Sequence, residues 1–117
     1  MMNFERKGVI SLWLFREPAD PADADKDVLQ YFAGVDYYDL DDQEGVVREV
    51  PTPIADLLAP LSYSESFQSE AAAAGDRLGV AEAFGVLAQY DFAYDTAAVA
   101  RPIARDPMFL GTFAWHA

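Results

Sequence analysis

Gly8–Phe15 reads GVISLWLF, with Ser11 its single hydroxyl. β-Branched and aromatic side chains dominate the run, which is short for a helix and is followed by Pro18. Such a continuous apolar stretch predicts a central strand covered on both faces. Two later segments alternate instead. Phe84, Val86, Ala88, Tyr90 and Phe92 recur at every second position, and Phe109, Phe113 and Trp115 share a parity within Met108–Trp115. Period-two patterning predicts a strand with one side facing the core in each segment. Gly111 lies inside the second, where glycine marks a bulge or a close backbone approach. Val46–Val50 predicts a short edge strand.

Helical spacing fills the intervals. Val28, Leu29 and Phe32 form an apolar stripe on a helix that Asp23 or Asp25 caps and that runs to about Ala33. Asp25 and Asp27 fall in its first turn, where the helix dipole favours negative charge, and Gly34 closes it in a left-handed conformation. Thr52 and Pro53 predict a second start, with Ile54, Leu57 and Leu58 inward and Pro60 as the stop. Ser62 and Glu65 have capping-box spacing ahead of Phe67, Ala71, Ala74 and Leu78, with Gly75 as the stop. Ala93–Pro107 reads as a long loop. The order strand, helix, short strand, two helices, strand, strand predicts an α+β fold. Residues 1–117 form a single domain: a mostly antiparallel sheet of about four strands with about three helices packed mainly on one face.

Composition supports one core. At 117 residues, 52% of them hydrophobic, the chain suits one domain and buries roughly two thirds of its extended surface. The 14% aromatic content excludes disorder as a description of the whole. Cysteine is absent, so disulfides, thiolate metal sites and thiol nucleophiles are excluded, and a cytoplasmic location fits. No apolar run reaches the length of a membrane span. Arg6 and Lys7 ahead of the first apolar run superficially resemble a signal peptide, but Arg16, Glu17 and Pro18 follow at once without a small-residue cleavage pattern.

Charge narrows the partners. Twenty acidic residues against eight basic ones give a net charge of −12. Glu17–Glu49 holds eleven of the acids and only Lys26 and Arg48 as cations, so 11 − 2 = 9 of the 12 net negative charges fall there. Phosphate backbones and anionic lipid surfaces are repelled, whereas a basic protein or a cation is attracted. Solubility is the simpler use of such charge. Asp36, Asp39, Asp41, Asp42 and Glu44 are the densest acids, and Tyr37 and Tyr38 lie among them. Set on the calcium-loop template, Asp39 and Asp41 match the first and third positions. Glu44 then stands where glycine is required and Val50 where a bidentate Glu is required, so an EF-hand is excluded and only an irregular cation site is left. A contact surface uses the same residues, because tyrosines supply rigid amphipathic area among charges. Asp91, Tyr94 and Asp95 at the end of the Phe84–Phe92 strand form a second such group.

Catalytic patterns are missing. His116 is the single histidine, no G-x-S-x-G elbow or phosphate-binding glycine loop occurs, and Ser62, Ser64, Ser66 and Ser69 have no base nearby in sequence. Capping and helix-surface roles account for these serines, and a surface ion pair accounts for Arg101 and Arg105. The expectation is a non-enzymatic protein without cofactors.

Five short motifs occur in order: Val9–Leu14 (VISLWL), Asp36–Asp39 (DYYD), Ser62–Phe67 (SYSESF), Tyr90–Tyr94 (YDFAY) and Phe109–Phe113 (FLGTF). In order and spacing they resemble the immunity protein 22 family of bacterial polymorphic-toxin systems across nearly the whole chain. The resemblance implies a cytoplasmic α+β protein that binds and blocks a cognate toxin domain, and it carries over no catalytic residue. A nuclease-like toxin carries positive charge around the phosphate it cleaves, which suits an acidic inhibitor. The partner-binding residues expected on that basis are Asp36, Tyr37, Tyr38, Asp39, Asp41, Asp42 and Glu44, with Asp91, Tyr94 and Asp95 behind them. A small cation-binding or regulatory interaction module is the alternative.

Overall fold

A computed structural model describes residues 3–117. Strands β1 (Glu5–Phe15), β2 (Gln43–Pro53), β3 (Glu82–Phe92) and β4 (Met108–Ala114) form one sheet in the order β2-β3-β1-β4. Every pairing is antiparallel. Helices α1 (Val28–Phe32), α2 (Ile54–Leu58) and α3 (Gln68–Arg77) complete an α+β domain. The expected element order holds, and the apolar run of β1 occupies a central position. Ile10–Leu14 is buried without interruption, as a strand covered on both faces requires.

The alternation of β1 divides the core. Ile10, Leu12 and Leu14 pack with Val86, Ala88, Tyr90 and Phe113 under α2 and α3, which supply Ile54, Leu57, Leu58, Ala71 and Ala74. Trp13 faces the other side, with Leu87, Phe92, Tyr94 and Phe109, under Leu29 of α1 and Val35. Two helices therefore share one face and the shortest apolar stripe covers the other.

Two aromatics leave the face that strict alternation assigns them. The β1–β4 register runs Leu12 to Gly111 and then Trp13 to Phe109, so Leu110 is an inserted residue. The bulge turns Phe109 to the face opposite Phe113. Asp91 has φ 55°, and beyond it Phe92 packs with Trp13 and not with Tyr90. Phe84 is only half-buried and belongs to neither cluster.

Local starts and stops also shift. Asp27, not Asp23 or Asp25, caps α1 by accepting from the Gln30 amide. Thr52 donates to the Val50 carbonyl, which leaves Pro53 as the cap residue of α2. The capping box does not form: Ser62 binds Glu44, and α3 begins only at Gln68. Gly75 lies inside α3, and the helix ends before Gly79, whose φ is 76°. A Cβ on Gly75 would stand 2.3 Å from the Ile54 side chain, so glycine there sets the close approach of α3 to α2. β2 runs eleven residues, longer than its apolar pattern indicates, and stays at the edge.

Candidate functional site

The acidic segment joins the end of α1 to β2. Gly34, with φ 71°, turns the chain out of the helix, and Val35 anchors it in the core. Asp36 then emerges and pairs with the Arg101 guanidinium at 2.9 Å, an exposed contact that fixes the base of the segment against the Ala93–Pro107 loop. Asp39 caps a short 3-10 turn, Leu40–Asp42, by accepting from the Asp41 amide. The turn is held to the sheet from beneath. Gln89 of β3, almost fully buried, donates to the Asp39 carbonyl at 2.7 Å and accepts from the Gln43 side chain.

This anchoring leaves one side in solvent. Asp36, Tyr37, Asp39, Leu40 and Asp41 are exposed; Tyr37 retains 43% and Leu40 67% of its accessible surface. Tyr37 and Leu40 thus protrude side by side with aspartates from a braced turn. Periodicity gives no signal for Leu40, because the 3-10 turn that holds it is only three residues long.

The other acids are partly committed to the fold. Tyr38 is half-buried and donates its hydroxyl to Asp27; burial first, and that carboxylate second, push its hydroxyl up to about 12. Glu44 accepts from the Ser62 amide at 2.8 Å, from the Ser62 hydroxyl and from Tyr90. Burial alone would raise its carboxyl, but these three donors together outweigh it and hold Glu44 below the usual carboxylate range. The Tyr90 hydroxyl is pushed up, by burial and then by Glu44. Asp91 accepts from the Gly8 amide and the Trp115 indole, which ties the β1–β3 irregularity to the end of β4. Asp95 caps the short turn Thr96–Ala98 and is exposed.

Tyr94 requires correction as a contact residue. It is buried among Trp13, Phe4 and Phe109, and its hydroxyl donates to the Ala33 carbonyl at 2.6 Å. The turn at Asp91 swings the chain beyond it onto the α1 side of the sheet, so the aromatic of the Tyr90–Tyr94 motif that looked exposed is core. Ser11 explains the exactness of that path: its buried hydroxyl donates to the Phe92 carbonyl and accepts from the Tyr94 amide.

Asp39, Asp42 and Asp91 do meet. With Glu5, Arg6, Lys7 and the floor residue Gln89 they line an open cavity of about 320 Å³. Four carboxylates face two cations there. Partial burial, and then Asp39, Asp91 and Asp41, raise the Asp42 carboxyl. Among the described residues no group of three or more His, Asp or Glu side chains is placed to hold a metal ion. No helix among the described residues is long and apolar enough to cross a membrane. What the segment offers chemically is a braced acidic turn with protruding apolar and aromatic side chains. Comparison of the chain with known protein families, characterised proteins and solved structures found no match.

Proposed function

We propose that this is a toxin-neutralising immunity protein, one that binds and blocks a basic, nuclease-like toxin domain with its acidic and aromatic surface. The observation that carries the reading is the exposed turn Tyr37–Asp41, where Tyr37 and Leu40 protrude among aspartates while Gln89 braces the backbone below. A braced turn loses little conformational freedom on binding. Its charge speeds the encounter with a cationic partner, and its apolar side chains provide the desolvated contact that slows release. The ordered motifs that resemble the immunity protein 22 family support the same reading. The test is expression of the C-terminal domain of a long reading frame adjacent to the gene, with and without this protein. Growth arrest relieved by the protein is the expected result. Equal arrest in both cells, or the absence of such a frame, overturns the proposal.

A further inference from the structure

β2 is an edge strand with one open side. From Gln43 to Val47 it pairs with β3 residue for residue, and the irregularity begins only after Val47. The Val46 and Val86 carbonyls both lie in the gap between the two strands. That makes Val46 and Val86 a hydrogen-bonded pair, and the alternation turns the backbone groups of Gln43, Gly45 and Val47 outward. The Gln43 amide is used by the preceding turn, where it donates to the Leu40 carbonyl. The Val47 carbonyl accepts from the exposed Arg48 guanidinium. Among the described residues, the backbone groups of Gly45 make no backbone hydrogen bond outside the sheet, and neither does the Val47 amide.

Natural edges are usually blunted by charge, proline or a bulge. Within the regular stretch the one charge is Glu44, which is turned onto Ser62 and Tyr90; the other such devices run from Arg48 to Pro53, beyond it. Val47 and Val50 keep 63% and 65% of their surface exposed. Gly45 is exposed, and a Cβ there would make only ordinary contacts at 3.6 and 3.7 Å, so the fold does not require glycine at this position. A bulky side chain on an added strand has room to cross it. Asp41 and Asp42 stand at one end of the open stretch; at the other Arg48 adjoins it, with Glu49 one residue further on.

Resting on the toxin-binding reading, we propose that a basic, extended segment of the partner adds to the sheet along Gln43–Val47 as a fifth strand beside β2. Backbone pairing supplies the register, and the acids at the Asp41–Asp42 end, within a chain of net charge −12, select a cationic strand. A second copy of this chain is disfavoured, because it would bring the same acids against themselves.

The experiment uses the full chain and the toxin domain of the adjacent reading frame, with amide hydrogen exchange and titration calorimetry. Gly45→Lys introduces bulk and like charge at the edge, and Ala73→Lys, exposed on α3, is the charge-matched control. Circular dichroism establishes that both variants are folded. The expected result is new protection of the Gly45 and Val47 amides in the complex, with binding at least about tenfold weaker for Gly45→Lys than for Ala73→Lys. Protection elsewhere with equal binding by both variants overturns the strand addition and leaves the toxin-binding reading intact. Concentration-dependent protection of these amides in the free protein shows a second copy on the edge and also overturns it. If the wild-type chain does not bind the toxin domain at all, both fail together.

Discussion

Asp42 and Glu44 stand two residues apart and respond oppositely to the fold. Glu44 has its lone pairs filled by Ser62 and Tyr90, and its carboxyl is held below the ordinary value. The unfolded chain therefore binds that proton more readily, and stability from Glu44 is present above the unfolded value and is lost as pH falls through the folded one. Glu44→Gln should lower the melting temperature at pH 7, and the difference from the parent should shrink as the solution is acidified through the carboxylate range, measured by thermal denaturation. Asp42 is raised, by partial burial and then by neighbouring acids. Here the folded chain holds the proton more readily, so stability falls as pH rises through the window. Asp42→Asn should be as stable as the parent or more so at pH 7, by at most about 0.5 kcal/mol, the range of surface substitutions. In calorimetry with the toxin domain proposed as partner the same variant should bind more weakly. A variant that gains stability and keeps full affinity would remove Asp42 from the contact surface. Neither environment was legible in the sequence, which shows only that acids are dense. Ser62, which distinguishes them, arrives from a residue eighteen positions away.

At the scale of elements, the sequence pattern was readable wherever one residue type dominates a period. Ile10–Leu14 identifies the central strand, and Ile54, Leu57 and Leu58 identify the inward side of α2, because burial follows apolar patterning directly. Faces were misassigned where the backbone breaks period. Phe109 and Phe92 changed sides through an inserted Leu110 and a left-handed Asp91; alternation carries no signal for either, although Gly111 marks the place of the bulge. Gly75 shows the same limit. Read locally it stops a helix, whereas in the fold it admits Ile54 against α3. Gly75→Ala should therefore destabilise the domain by about 1–3 kcal/mol through overpacking, against a helix-propensity gain of about 1 kcal/mol. Urea denaturation decides between them; a more stable variant would show that α2 and α3 move apart freely.

Across the whole molecule, patterning dictates the fold, whereas the use of the charge depends on how the chain folds. The α+β sheet followed from patterning. The negative segment was visible as a string of acids, but its use depends on tertiary facts: Asp27, Asp39 and Asp95 serve as caps, Asp36 is paired with Arg101, and Tyr94 is core. What is left in solvent around Tyr37–Asp41 is smaller than the sequence suggested and better braced. Steering by the field of a chain at −12 is screened by salt, with a Debye length of about 10 Å at 0.1 M. The most direct measurement is the association rate constant of the purified protein with the toxin domain, by stopped flow, as salt rises from about 0.05 to about 0.5 M. The account predicts a steep fall in that rate, and a much shallower one for the chain carrying Asp41→Lys and Asp42→Lys. A rate that is flat with salt, or equally steep in the charge-reversed chain, would contradict it.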